Sequence, residues 1–151
     1  MQPSRRAVLG GGTALAAFLA SSTASAVAPR TRLAALSDLK VGEPRVLAYP
    51  TPDHPVVLVK LGRAAKGGVG EARDIVCFSM LCTHQGCPVT FADGRFLCPC
   101  HYSQFDPAVA GQCYQGPAYE NLPQIRLQLE GEDVFAVGIE GLIWGRVENP
   151  A

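Results

Sequence analysis

The chain has 151 residues, and its 13 basic and 13 acidic side chains give a formal net charge of zero. A chain of this length has room for one domain with a compact core. Nucleic acid is not indicated as a partner, because no clustered basic face stands out, and the charge balance names no other partner.

Residues 1–26 are predicted to be an export signal. The segment carries Arg5 and Arg6 near its start, continues with the small and apolar run 7–20, and ends at residues 24–26, which fit a small-x-small cleavage site. The two adjacent arginines favour a signal of the twin-arginine type. We therefore expect a periplasmic protein that is exported in the folded state.

The alternative is an uncleaved signal that anchors the chain in the membrane. Its apolar run covers 14 residues and includes three glycines, whereas a helix that spans a bilayer needs about 20 predominantly apolar residues. Membrane association is therefore expected at most through an uncleaved signal. Removal of residues 1–26 would leave a domain of residues 27–151 with a formal charge of −2, since the signal holds two basic residues and no acidic one.

Beyond the signal, the sequence predicts short strands between turns. Residues 28–40 have a weak pattern and are expected on the surface, and residues 62–73 contain four glycines and are predicted to be a loop. Runs of β-branched and apolar residues, or alternation of apolar with polar residues, predict strands at 45–49, 56–60, 74–80, 95–97, 125–130, 134–138 and 142–146. No segment sustains a helical period over three turns, so the predicted fold class is all-β.

Four of the six cysteines and two of the three histidines fall within twenty residues. They form two boxes, each with two cysteines and one histidine: Cys82, His84 and Cys87 in the first, and Cys98, Cys100 and His101 in the second. Thiolate and imidazole ligands together suit zinc, iron–sulfur clusters or copper, and they disfavour magnesium and calcium.

Several kinds of site compete for these residues. Attachment of a c-type haem requires Cys-x-x-Cys-His, but a single residue separates Cys98 from Cys100. The spacing of Cys82 and Cys87 is compatible with zinc, although zinc would leave two of the six groups without a role. A pure disulfide framework fits an exported protein but gives no role to the histidines. A zinc-holding, non-redox binding module therefore stays open beside an iron–sulfur site.

Both boxes resemble those of the Rieske iron–sulfur family, which read Cys-Thr-His-x-Gly-Cys and Cys-Pro-Cys-His-x-Ser. The resemblance implies an antiparallel β-sandwich or barrel with a small cluster-binding subdomain at about 77–120, and single-electron transfer as the function. It also implies a disulfide between Cys87 and Cys100. It further implies one [2Fe-2S] cluster per chain, with two cysteines on one iron and two histidines on the other. The implied ligands are Cys82, His84, Cys98 and His101.

The same resemblance implies further residues around the cluster. Ser103 matches the family serine that donates a hydrogen bond to a bridging sulfide. Phe105 stands where many high-potential members have a tyrosine that donates to a ligand sulfur, so we expect a reduction potential in the lower or middle part of the family range, about −150 to +300 mV. Gly116 and Pro117 match a third loop that covers the cluster, and Gln85 stands where a bulky apolar residue often shields it.

Four other residues have weaker signals. His54 lies between prolines and is expected to be a solvated loop histidine. Cys77 lies in an apolar strand and is expected to be a buried thiol; a disulfide between Cys77 and Cys113 after export stays open. Trp144 is expected in the core rather than on an electron path.

Beyond the boxes, the chain is similar to the small subunits of arsenite oxidases. The similarity covers most of residues 44–148 and is carried by residues 82–89, 98–106, 120–123 and 141–146. It implies that a molybdopterin-containing large subunit oxidises arsenite by two electrons, and that this chain relays them singly to a soluble periplasmic acceptor such as cytochrome c. No catalytic residue is then expected in this chain. The alternative is the Rieske subunit of a cytochrome bc-type quinol-oxidising complex.

Overall fold

The computed structural model describes residues 28–149, and within them ten strands form two antiparallel sheets. The strands of the first sheet are β1 (Thr31–Ala35), β2 (Arg45–Ala48), β3 (Pro55–Lys60), β4 (Ile75–Ser79), β9 (Gln124–Glu130) and β10 (Asp133–Glu140). Those of the second are β5 (Thr90–Ala92), β6 (Arg95–Leu97), β7 (Gln104–Asp106) and β8 (Gln112–Gln115). Short 3-10 helices cover Leu36–Asp38 and Pro107–Val109. The all-β prediction is confirmed.

The six-stranded sheet has the order β1-β10-β9-β4-β3-β2, and the four-stranded sheet has the order β5-β6-β7-β8. The second sheet belongs to a segment inserted between β4 and β9, which themselves pair at Cys77↔Ile125 and Phe78↔Gln124. Both boxes lie in this inserted segment. The sheet order therefore presents them together on one side of the larger sheet.

Strand β4 is buried along its whole length, because apolar layers cover both faces of the larger sheet. Its side chains alternate between two cores, as the period of two requires. Cys77 packs with the layer that includes Tyr49 and Val134, whereas Phe78 packs with the inserted segment. The rings of Phe78 and Phe96 meet edge to face at 5.4 Å. A continuous apolar run is what a strand buried on both faces requires.

Two predictions about the ends of the domain are wrong. Residues 31–35, within the stretch expected on the surface, form β1, pair with β10 and bury Leu33 and Ala34. Residues 142–146 form no strand, because Gly141 and Gly145 take positive φ angles of 85° and 79° and turn the chain. The Asn149 side chain then folds back onto the start of this stretch, accepting from Ile143 N at 3.0 Å and donating to Gly141 O at 2.7 Å.

His54 is buried, with 1% of its surface exposed, so the prediction of a solvated loop histidine is wrong. The turn after Tyr49 folds back, with Tyr49 N donating to His54 O at 3.0 Å. The imidazole enters the interior, where its Nε2 lies 3.2 Å from the Ser79 hydroxyl. Desolvation by this burial lowers the pKa of His54.

Trp144 also departs from its prediction, since 43% of its surface is exposed. Cys77 is fully buried as predicted, and burial raises the pKa of its thiol. Cys77 and Cys113 are free thiols that pack in the cores on opposite faces of the larger sheet, so the structure contains no bond between them.

The predicted export signal, residues 1–26, lies outside the described residues. None of the helices in residues 28–149 has the length and apolar character needed to cross a membrane. The boundary of the cluster-binding subdomain at about 77–120 stays a prediction; β5 to β8 and both boxes fall inside it.

Candidate metal centre

The two boxes form loops that are closed by the same pair of backbone hydrogen bonds. In the first, Gly86 N donates to Cys82 O at 2.8 Å and Cys82 N donates to Cys87 O at 2.9 Å. In the second, the corresponding bonds run from Tyr102 N to Cys98 O at 3.0 Å and from Cys98 N to Ser103 O at 2.9 Å. Each loop therefore starts at a cysteine fixed by its own backbone and holds a histidine between the ends of the turn.

Both loops need a left-handed residue at their fifth position. Gly86 has a φ of 73° and Tyr102 has a φ of 60°. Glycine adopts this conformation without a steric penalty, whereas tyrosine takes it at a cost of about 1–2 kcal/mol. The backbone conformation therefore explains the glycine of the first loop but not the tyrosine of the second. Tyr102 keeps a strained backbone while 66% of its surface is exposed.

A disulfide between Cys87 and Cys100 joins the two loops, with a Cα–Cα distance of 6.5 Å. The sulfur atoms of these two residues and of Cys98 all lie within 4.8 Å of one another. Because a disulfide sulfur is not a thiolate ligand, Cys98 is the member of this group that can bind a metal. The pairing implied by the family resemblance is thus present.

The other donor atoms are arranged by depth. Cys82 and Cys98 are buried, with 0% and 1% of their surfaces exposed. His84 is half-buried and His101 is exposed. The two imidazole rings lie edge to face, 4.8 Å apart between centroids. The site thus has two thiols inside and two imidazoles nearer the surface.

The chemistry of these donors fits a bound cationic centre. Burial raises the pKa of the Cys82 thiol, and the adjacent Cys98 thiol raises it further, so deprotonation of this pair calls for compensating positive charge. The Nδ1 atom of His84 is buried and has no hydrogen-bond partner among the described residues. A buried polar atom without a partner calls for an explanation, and a metal ligand is one.

The residues predicted to surround the cluster lie against the second box. The Ser103 hydroxyl is buried and accepts from Ala118 N at 3.2 Å. Gly116 has a φ of 93°, and a Cβ at this position would lie 2.7 Å from Ser103 N. Pro117, which lies between Gly116 and Ala118 in the chain, is half-buried. Gly116 and Ala118 therefore contact Ser103 directly, as expected of a third loop.

Phe105 is fully buried in the same core as Cys82 and Cys98. Its ring offers no hydrogen-bond donor to this core. Gln85, by contrast, is exposed at the tip of the first loop.

Two contacts at the first box were not predicted from the sequence. The Thr83 hydroxyl donates to Glu120 O at 2.7 Å and joins this box to the segment after the third loop. The Trp144 indole packs against Gly86. Neither contact has a local signal, because each joins residues that are far apart in the chain. The sequence does contain one signal of the site's environment, because residues 81–92 and 96–105 include no charged side chain.

Comparisons with known proteins agree with this geometry. Residues 30–126 match the family model of the Rieske [2Fe-2S] domain. The iodate reductase subunit IdrB of Denitromonas iodatirespirans is 46% identical over 145 residues, which are 93% of this chain and 77% of that protein. The cytochrome bc1 complex Rieske iron-sulfur subunit of Corynebacterium diphtheriae is 35% identical over 92 residues, 54% of this chain and 23% of that protein.

Among solved structures, the soluble domain of the Rieske protein II (soxF) from Sulfolobus acidocaldarius has the same fold. Its TM-score is 0.69 at 24% sequence identity, and the match covers 81% of this chain and 83% of that one. The two loops, their disulfide and the match over residues 30–126 lead to one conclusion. The chain belongs to the family of Rieske [2Fe-2S] domains, whose cofactor is a [2Fe-2S] cluster.

Proposed function

We propose that Cys82, His84, Cys98 and His101 hold the cluster, and that the chain is the electron-transfer subunit of a periplasmic oxidoreductase. The observation that carries the ligand assignment is the arrangement by depth, with two buried thiols and two imidazoles closer to the surface. When bound, a [2Fe-2S] cluster of this type takes up and releases one electron at a time.

The residues of this chain have distinct tasks in that function. Cys82 and Cys98 bind from the interior, where the surrounding core excludes water. The exposed imidazole of His101 offers a partner protein a short approach to the ligands. The Cys87–Cys100 disulfide keeps the two loops together, and the Ser103 hydroxyl is available as a donor. Because Phe105 has no hydroxyl, the reduction potential is expected in the lower or middle part of the family range.

The proposed partner is a molybdopterin-containing large subunit. The similarity to arsenite oxidase small subunits supports a complex in which the large subunit oxidises arsenite to arsenate and this chain passes the electrons singly to a soluble acceptor such as cytochrome c. Iodate reductase is a second candidate, because the subunit of that enzyme from Denitromonas iodatirespirans is 46% identical over 93% of this chain. Electrons would then flow through the chain in the opposite direction.

The first test asks whether the chain holds iron or zinc. The purified full chain is expected to contain two irons per molecule and, after reduction, to give the rhombic electron paramagnetic resonance (EPR) signal of a histidine-ligated cluster. Replacing His84 or His101 by serine should abolish that signal. Stoichiometric zinc with no signal would overturn the assignment in favour of a non-redox binding module.

The second test identifies the complex. The native protein is isolated through this chain, and its partner is identified together with the direction of electron flow. Arsenite-dependent reduction of the cluster would support an arsenite oxidase, and iodate-dependent oxidation of the reduced cluster would support an iodate reductase. Co-isolation of a cytochrome b with neither activity would overturn both in favour of a bc-type complex.

Export by the twin-arginine route is proposed for a chemical reason. Clusters are assembled in the cytoplasm, so the protein has to fold before it crosses the membrane. Replacing Arg5 and Arg6 together by lysine preserves the charge and should leave this chain, and a partner that travels with it, in the cytoplasm. A normal periplasmic yield of the double variant would contradict the proposal.

A further inference from the structure

The last described residues form a C-terminal clip, residues 141–149, that is fixed at several points. Ile143 is fully buried. The Asn149 side chain holds the clip closed through its bonds to Ile143 N and Gly141 O. On the outside, the Arg146 guanidinium lies 3.5 Å from an Asp53 carboxylate oxygen. The backbone of Trp144 lies between these anchors, so it is held in place by contacts that do not involve the indole.

The indole of Trp144 lies directly on the first ligand loop. A Cβ at Gly86 would come within 2.6 Å of Trp144 Cζ3 and closer still to its neighbour in the ring, so the ring and the glycine backbone are in contact. Gly86 is the residue whose N–H closes the turn onto Cys82 O. His84 stands in the middle of that turn. Any outward movement of Gly86 would therefore open the turn that presents His84.

Resting on the cluster assignment proposed above, we propose that Trp144 is a positioning residue for the cluster. Its indole is the outer support of the turn at Gly86 and thereby fixes the orientation of His84.

The two ligand loops would then be supported in equivalent ways. The second loop is backed at Ser103 by Gly116 of the third loop, where a Cβ would collide with the Ser103 backbone. The first loop has Trp144 in the corresponding role at Gly86. Since outer contacts of a metal ligand set its orientation and affinity, the support of each loop is expected to act on the metal and not only on the fold.

Ordinary core packing does not account for Trp144. A large fraction of its surface, 43%, is exposed, and the ring lines a groove of about 740 Å³ beside Tyr119 and Leu142. The clip has its own buried anchor in Ile143. Truncation of Trp144 should consequently leave the clip attached while it removes the support of the first loop.

The test uses the full chain loaded with its cluster and compares Trp144→Ala with Val147→Ala. Val147 belongs to the same clip and has 98% of its surface exposed, so its truncation is a matched control. Trp144→Ala is expected to shift the EPR g values and to speed cluster loss by about tenfold, the lower end of the range for outer contacts of metal ligands. Val147→Ala and the conservative Trp144→Phe should stay close to the wild type.

A double-mutant cycle with Gly86→Ala tests whether Trp144 acts through Gly86. The added methyl should accelerate cluster loss strongly when the indole is present and much less in the Trp144→Ala background, because the collision is then relieved. Additive effects would overturn the proposal, as would a Trp144→Ala spectrum and loss rate equal to those of the wild type. Absence of the rhombic signal from the wild-type chain would instead contradict the proposed function on which this inference rests.

Discussion

The contact between the third loop and the second box makes a quantitative prediction for Gly116→Ala. Gly116 has a φ of 93°, and its Cβ would lie 2.7 Å from Ser103 N. The left-handed backbone should cost an alanine about 1–2 kcal/mol. Overpacking against the Ser103 backbone should add about 1–3 kcal/mol. The free energy of unfolding is therefore expected to fall by about 2–5 kcal/mol.

Gly94→Ala is a matched control for the backbone part of this cost. Gly94 has a φ of 75°, and nothing lies within 4 Å of its added Cβ. This variant should lose only the first contribution, about 1–2 kcal/mol. Thermal unfolding at matched iron content, followed by circular dichroism, measures the difference. At about 4 °C per kcal/mol for a domain of this size, Gly116→Ala should melt roughly 4–12 °C below Gly94→Ala.

Equal melting temperatures for the two variants would refute this reasoning. The Ser103 backbone would then give way without cost, and the third loop would not be packed tightly on the second box. The EPR spectrum provides a second readout, because a displaced Ser103 is expected to perturb the signal in Gly116→Ala and not in Gly94→Ala.

Three further predictions concern the loops and the core. Replacing Cys87 and Cys100 together by alanine should lower the free energy of unfolding by about 3 kcal/mol in a urea titration, because the unfolded chain regains the loop entropy of a 13-residue separation. Cys113 is a free thiol, so Cys113→Ala should change the free energy of unfolding by far less. Phe105→Tyr should raise the midpoint potential by roughly 40 mV in a redox titration if the new hydroxyl favours the reduced cluster by about 1 kcal/mol; an unchanged or lower potential would contradict a donor role. Burial lowers the pKa of His54, so the imidazole binds a proton more tightly in the unfolded chain than in the folded one. The free energy of unfolding should therefore fall as the pH drops below about 6.5, by up to about 1.4 kcal/mol per pH unit. His54→Gln should flatten this pH dependence between pH 7 and 5. An equally steep pH dependence in the variant would show that other groups cause it.

The two boxes could be predicted from the sequence because their chemistry is local. Cys82 and His84 lie two residues apart, and Cys98 and His101 lie three residues apart. The strands of the larger sheet were also predictable wherever a run of β-branched and other apolar residues extends over four positions, as in β3 and β4. In both cases neighbouring residues in the chain carry the whole signal.

The features that the sequence did not predict depend on contacts between distant residues. Strand β1 contains two alanines and gains its structure from pairing with β10. His54 is buried because a turn rich in proline folds it onto Ser79, 25 residues later. Trp144 lies outside the core because Gly141 and Gly145 turn the chain before and after it. No local pattern distinguishes these outcomes from their alternatives.

The inserted position of the cluster segment has a consequence for how such proteins can evolve. The segment leaves the larger sheet at the end of β4 and returns at the start of β9, and these strands are direct neighbours. Its entry and exit points therefore lie side by side, so another segment with adjacent ends could replace it as a cassette without stretching the scaffold. A replacement segment must also supply an aromatic or aliphatic side chain that packs on Phe78, as Phe96 does here. The scaffold and the electron-carrying segment can thus diverge at different rates, provided that the apolar packing between the larger sheet and the inserted segment is kept.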